Sequence, residues 1–257
     1  MSTHRADRHL KTAARALAAA RHVLVLTGAG VSAESGIPTF RDALTGLWSN
    51  FDAEELATQE GYLRDPPLVW GWYQWRRNKV LATQPNPGHF AIAALARKVP
   101  RLTLVTQNVD DLHERAGSRD VRHLHGSILT ARCLDCARPH PLPPGPTRMT
   151  HDGMRLDPPR CAHCGGLVRP DVVWFGELLP RGPLAEAEAA AAECDVVVSV
   201  GTSSLVYPAA GLAPAAAGRG ATVIQVNPNV TALDDLATVN LAGPSGAILP
   251  RLLAAMA

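Results

Sequence analysis

Residues 22–41 read HVLVLTGAGVSAESGIPTFR, and the two halves of that stretch together decide the fold. His22 to Leu26 is an apolar, β-branched run with no polar alternation, the pattern of a strand buried on both faces. Gly28, Ala29 and Gly30 follow at once, allowing a tight turn and close approach of backbone N–H groups to a phosphate. Ala33 replaces the third glycine of a dinucleotide fingerprint, which tolerates alanine there. The acidic residue expected about 20 positions on is missing, however, and Ser35-Gly36-Ile37-Pro38 breaks the chain before Arg41. The stretch predicts a nucleotide loop on a parallel α/β sheet, and it argues against an ordinary nicotinamide dehydrogenase.

Outward from this loop the same alternation continues. RLTLVT (101–106), DVVVSV (195–200) and ATVIQV (221–226) read as further buried strands. Alanine-rich helices are expected at about 5–20, 87–98, 183–193, 208–217 and 246–256, which gives a parallel sheet covered on both faces. Two stretches interrupt the pattern. Residues 43–84 are helical and aromatic; residues 127–170 are rich in Pro, Cys and Arg and lack apolar periodicity. Both read as inserts on the α/β scaffold.

The strand-end loops are polar. TQNVDDLH (106–113) brings Gln107, Asn108, Val109 and Asp110; GTSS (201–204) brings Gly201, Thr202 and Ser203; NPN brings Asn227, Pro228 and Asn229. Each alone is ordinary turn chemistry. Together with the glycine loop they form one cleft beyond the carboxyl ends of the strands, where open α/β sheets bind ligands. In RHLHGS (122–127), His125 precedes Gly126 at the end of a short strand and would face that cleft as a catalytic residue, with His123 the alternative two positions earlier.

Net charge is +2, so no broad basic surface points to nucleic acid or an anionic membrane. The Arg- and Ala-rich start resembles a mitochondrial presequence in composition but reads better as a first helix, because a strand follows without a linker. The longest uncharged run, 196–218, is interrupted by glycines, Pro208 and Pro214 and does not fit a membrane span. A cytoplasmic protein is expected. Four of the five cysteines form two C-x2-C pairs, Cys133/Cys136 and Cys161/Cys164, 24 residues apart. That spacing argues for one structural Zn²⁺ stapling a segment that could hardly fold without it. Four thiolates leave no open position for a metal-bound water. Cys194 reads as a core thiol, and His163, inside the second pair, could replace a cysteine as ligand but need not.

WGWYQWRRN (70–78) places Tyr73 and Arg76 three apart on a helix, side by side on one face among three tryptophans. Arg76 is either a surface residue lying along an indole or half of a site for a negatively charged ligand.

GAGVSAESGIPTFR, TQNVDDLHERAG, HLHGS, the two C-x2-C pairs, VVWFGE, GTSS and NPN occur in one order, and together they resemble the sirtuin family of NAD-dependent protein deacylases from about residue 20 to 250. The resemblance implies a Rossmann-like domain (1–42, 85–126 and 171–257), a helical insert of the small domain (43–84) and a zinc-binding insert (127–170). It implies NAD consumed as co-substrate, an acylated lysine of a protein or peptide as partner, and nicotinamide and O-acyl-ADP-ribose as products. His125 matches the catalytic base. Gly28 to Gly30, Ser32, Ala33, Thr39, Phe40 and Arg41 resemble the NAD loop. Gln107 to Asp110 resemble the nicotinamide side, and Gly201 to Ser203, Asn227 to Asn229 and Ser245 the adenosine side. Val173, Trp174, Phe175, Gly176 and Glu177 look like the edge that pairs with substrate peptide. Tyr73 and Arg76 are similar to the pair that, in one subclass, receives acyl groups ending in a carboxylate, such as succinyl or malonyl. A mono-ADP-ribosyltransferase and a non-catalytic NAD-sensing zinc module are the alternatives.

Overall fold

The computed structural model describes residues 3–38, 52–150 and 154–256. Thr39, Phe40 and Arg41, expected to complete the NAD loop, lie outside the described residues. So does the 42/43 boundary.

Six strands form one parallel sheet: β1 (His22–Thr27), β2 (Arg101–Thr106), β3 (Arg122–His123), β7 (Val196–Val200), β8 (Thr222–Asn227) and β9 (Val239–Ala242). Their spatial order is β3-β2-β1-β7-β8-β9, the doubly wound order in which the winding reverses between β1 and β7. β1 is buried along its whole length because it is central and covered on both faces. On one face lie α1 (Thr3–Ala19), α6 (Pro87–Leu95) and α10 (Ser245–Ala254). From α1, Ala13, Ala14 and Leu17 join Val23, Val25 and Leu104 in a single core, an i, i+1, i+4 stripe against the sheet. On the other face α8 (Arg181–Glu193) and α9 (Leu212–Ala217) press Ala187, Ala190, Ala191 and Ala216 against Leu24, Val197 and Val223. Alanine on the inner face lets these helices sit close to the strands.

A second unit is built from the two inserts. β4 (Gly126–Cys133) pairs antiparallel with β5 (Pro139–His140) and β6 (Val168–Val172) in the order β5-β4-β6. Against this sheet pack α3 (Ala53–Leu56), α4 (Gln59–Arg64) and α5 (Pro66–Ala82). Asp65 caps α5 by accepting the Leu68 N–H, and Pro66 sits at its first turn, where the missing N–H costs nothing. The buried residues of α5, Leu68 to Gln74 with Arg77 and Val80, run round most of the helix. Its Gly71 faces the Met154 carbonyl so closely that a Cβ would stand 1.9 Å from that oxygen. On another face Arg77 donates to the carbonyls of Gly145 and Pro143, each at 2.9 Å, tying down the proline-rich loop. α2 (Gly30–Ala33) and α7 (Leu112–Arg115) are single turns after β1 and β2. Among the described residues no helix is long and apolar enough to cross a membrane.

Candidate active site

The glycine loop and GTSS meet at the point where the strand order reverses. The Gly28 N–H donates to Val200 O at 3.0 Å and the Gly30 N–H to Gly201 O at 2.8 Å. Gly201 is held at φ +61°, and a Cβ there would lie 2.4 Å from the Val31 nitrogen; one on Gly30 would lie 2.7 Å from Gly201. Backbone therefore forms the floor of the crevice, as a site for a pyrophosphate requires. Its rim is polar: Gln107 Nε2 donates to Thr202 Oγ1 at 3.1 Å and Asn227 Nδ2 to Thr202 O at 2.9 Å, while Ser203, Pro228 and Asn229 are exposed. Ala29 is part-exposed and Ala33 exposed. These residues fit a dinucleotide. Ser245 is buried, and its hydroxyl is committed to Glu34, which also accepts the Gly246 N–H at the start of α10.

Below the glycine loop lies a buried polar network. Ser32 Oγ donates to Asp110 Oδ2 at 3.0 Å and accepts from Asn108 Nδ2 at 3.1 Å. Burial raises the Asp110 carboxyl above its ordinary range, against the Leu112 N–H and the Ser32 hydroxyl, which favour its charged form. His89 Nδ1 accepts the Asn86 N–H, so its Nε2–H faces Ser32 at 3.4 Å. Thr27 spends its hydroxyl proton on Thr106, so His113 must donate Nε2–H to Thr27. His89 and His113 meet edge to face at 4.9 Å, and burial first of all depresses them, to about 4 and about 3. Neither was picked out from the sequence; the signal available was His89 three residues after Asn86, a capping box.

The two histidines of HLHGS separate cleanly. His125 Nδ1 lies 3.0 Å from Gln107 O, and a carbonyl can only accept, so Nδ1 carries the proton and Nε2 presents a lone pair. Burial lowers the pKa of this half-buried ring, with the Gln107 bond opposing. His123 also donates from Nδ1, to Asn108 O, but its Nε2 meets Glu114 at 2.7 Å. Burial alone would lower it; the Glu114 bond and charge raise it overall. His125 thus leaves Nε2 open as an acceptor, whereas Nε2 of His123 is engaged by Glu114, which favours that ring's charged form.

His125 leads directly into the 172–177 segment, because the Val173 N–H donates to its carbonyl at 2.9 Å. Phe175 and Gly176 are exposed, but Trp174 is buried. Its backbone N–H donates to Glu177, and its indole N–H to Tyr73 Oη at 3.0 Å. Glu177 forms a two-point ion pair with Arg169, which is 1% exposed and stacks on the Trp174 ring at 3.4 Å. Arg169 was not identified from sequence, since an arginine in a strand ordinarily reads as solvent-facing. Tyr73 is 1% exposed, and the Arg76 guanidinium lies over Trp72 at 4.8 Å and Tyr73 at 5.8 Å. Burial lowers the Arg76 pKa, while Tyr73 and Asp110 raise it, which puts Arg76 within electrostatic reach of the nucleotide loop.

The four cysteines converge, with all sulfurs within 4.8 Å of one another, Cys133 3.4 Å from Cys164 and Cys136 3.7 Å from Cys161. A Zn²⁺ with bonds of about 2.3 Å needs sulfurs about 3.8 Å apart, so the set fits that ion. Each pair sits in a tight turn that ends in a left-handed residue, Ala137 (φ 57°) and Gly165 (φ 75°). Backbone N–H groups of Cys164 and His163 favour the Cys161 thiolate, while the crowded neighbouring sulfurs push the Cys164 thiol the other way, a repulsion that a shared cation would relieve. His163 is exposed, and Cys194 is buried at the end of α8.

The Sir2 family pattern matches residues 28–208, well over half of the chain. The chain belongs to the Sir2 family. Its relatives in that family include an NAD-dependent protein deacylase of Methylococcus capsulatus, 61% identical over 92% of this chain and 93% of that protein. A Sir2 homologue in complex with NAD shares 42% identity at a TM-score of 0.86, covering 96% of this chain and 94% of the other. A mutant Sir2 homologue bound to 2′-O-acetyl ADP-ribose shares 42% identity at a TM-score of 0.87, covering 100% and 96%. The likeness in fold extends over nearly the whole chain, both sheets included.

Proposed function

We infer that this Sir2 chain is an NAD-dependent protein-lysine deacylase, that His125 is its base, and that its acyl site favours chains ending in a carboxylate. The names of its relatives support the activity, and the tautomer of His125 carries the assignment of the base. NAD supplies an electrophilic ribose carbon that releases nicotinamide and receives the acyl oxygen of the substrate lysine. His125 then takes the proton of a ribose hydroxyl at Nε2, which is open because Nδ1 is engaged by Gln107. Asn108 and Asp110, tied through Ser32, are set to orient the nicotinamide end, and the backbone floor at Gly28, Gly30 and Gly201 is suited to the pyrophosphate. The zinc would be held by Cys133, Cys136, Cys161 and Cys164 as a structural staple.

For the acyl tail, buried Tyr73 and half-buried Arg76 supply hydrogen-bond donors. An entering carboxylate sheds water, which is costly unless it is paired, and both residues can pair with it. Five cysteines without a disulfide, four of them assigned to zinc, suit a reducing compartment, the cytoplasm. The test is a panel of acetyl-, malonyl-, succinyl- and glutaryl-lysine peptides with NAD, read by mass. Transfer of a succinyl or malonyl group to ADP-ribose, faster than acetyl transfer, is the expected result. Peptide-independent release of nicotinamide, with no O-acyl-ADP-ribose, would refute the reading.

A further inference from the structure

Tyr73 Oη is the acceptor of a bond whose donor has no alternative role. Indole Nε1 can only donate, and that of Trp174 points at the phenol oxygen from 3.0 Å. The indole cannot swing away, because it is clamped from several sides. Arg169 stacks on its face at 3.4 Å, the Tyr62 ring lies 5.2 Å off, and its backbone N–H is bound to Glu177. Arg169 is in turn fixed by Glu177 and by the Val172 and Pro170 carbonyls. Tyr62 is anchored through its hydroxyl to Val168 O at 2.6 Å.

A phenol that accepts from a fixed donor keeps its own hydrogen for something else. Among the described residues, no acceptor stands against the Tyr73 O–H. Burial pushes its pKa up to about 12, so the proton stays in place. Its neighbour Arg76 has five donors and no acceptor. The pair therefore presents hydrogen-bond donors only.

We propose that the Trp174 indole N–H sets the polarity of the acyl-tail site, by making Tyr73 a one-way donor that selects an acceptor-only terminus. This rests on the reading that Tyr73 and Arg76 meet the acyl terminus. It goes further by naming Trp174 as a specificity-determining positioning residue and by predicting discrimination between two tails of one shape. A succinyl carboxylate offers two acceptor oxygens. Its primary amide, the succinamyl tail, replaces one of them with an NH₂ that would face only donors. The indole bond also polarises the phenol, making its O–H a stronger donor to the carboxylate.

The experiment is a double-mutant cycle of Trp174→Phe and Tyr73→Phe, read as kcat/KM for succinyl-lysine and succinamyl-lysine peptides of one sequence. The native enzyme should prefer the carboxylate by a factor on the order of 10². Trp174→Phe keeps a ring on Arg169 but removes the N–H, and should narrow that ratio about tenfold, mostly through KM. In the Tyr73→Phe background the same change should leave the ratio within about twofold. Equal losses for both tails, or the same narrowing with and without the Tyr73 hydroxyl, would mean that Trp174 only packs, and would overturn the proposal while the acyl-tail reading stands. A native enzyme that does not prefer the carboxylate would overturn the tail reading and the proposal together.

Trp174→Phe also removes buried ring volume, so a second measurement uses the indole itself. The chain has five tryptophans, hence five indole N–H resonances in a ¹⁵N-labelled sample. The one that moves upfield in Tyr73→Phe should also move when succinyl-lysine peptide is added to the native protein, and less with acetyl-lysine peptide. If no indole resonance responds to loss of the Tyr73 hydroxyl, the proposal fails.

Discussion

His123 and His125 donate from Nδ1 to successive carbonyls, those of Asn108 and Gln107, yet only His123 finds a carboxylate at its other nitrogen. The charged form of one imidazole is thereby favoured, and the other keeps a nitrogen open to accept. Substituting His125 with Ala should lower kcat/KM by about 10²-fold or more, the usual cost of a lost general base, with the fold retained. Because burial depresses its pKa, His125 stays neutral to below pH 6.5, and the acidic limb of kcat/KM should fall below that value. An acidic limb near pH 8, or one that vanishes in a His123 variant but not in a His125 variant, would show that the base was misassigned.

The buried pair of His89 and His113 makes a separate prediction, about stability. Both folded pKa values, about 4 and about 3, lie below the unfolded value of about 6.5. At pH 5 the unfolded chain binds protons on both residues and the native state does not, so stability falls as pH drops below 6.5 and continues to fall to about pH 3–4. Each histidine should cost on the order of 2 kcal/mol at pH 5. His123 has the opposite sign: its raised pKa lends stability below about pH 6.5, lost as pH rises through the folded value. Urea unfolding at pH 7 and pH 5 measures the sum. His113→Gln should flatten the acid slope, whatever it does to stability at pH 7; an unchanged slope would contradict the assignment.

The zinc staple is tested by metal content and folding together. Cys133 is fully buried at the end of β4, where that strand pairs with β6, so losing it removes both a ligand and the strand's anchor. Cys133→Ala should abolish binding of one Zn²⁺ per chain and cost most of the stability of the smaller sheet. A fully folded and active protein after complete chelation would disprove it.

How much of this was legible in the sequence follows from how each element is buried. β1, β2, β7 and β8 are covered on both faces over most of their length, so they are written as mainly apolar, β-branched runs. β9 has only four residues, VNLA, two of them buried, and gave no such signal. β4 and β6 were missed for a different reason. β4 carries an irregularity between Ser127 and Ala131, and β6 contains Arg169 and Pro170, which read as loop. Pro170 is tolerated because β6 is at the edge of its sheet, and Arg169 because Glu177 returns to it eight residues later. The cysteine spacing and His125 were readable because their chemistry restricts the residue type. The Trp174–Tyr73 bond spans 101 residues, and no local pattern records it.

The sharpest prediction concerns Tyr73 and Arg76. Hydrogen bonds to a charged group are worth roughly 1.5–3 kcal/mol each, so the pair can favour a carboxylate tail over an uncharged isostere by a factor on the order of 10² or more. On the proposed reading, an acetyl group, which has no carboxylate terminus, gains nothing from either residue. Exchanging Tyr73 for Phe and Arg76 for Met keeps much of the volume while removing both donors. The double variant should therefore raise KM for succinyl-lysine steeply and leave kcat less affected, because the lost contacts bind the ground state and the transition state alike. The ratio of desuccinylation to deacetylation should collapse by about 10²-fold in kcat/KM. Both substrates are measured on one peptide sequence, so that general damage to the site cancels. Equal loss of the two activities would mean that Tyr73 and Arg76, packed against Trp72 and Trp174, only hold α5 in place.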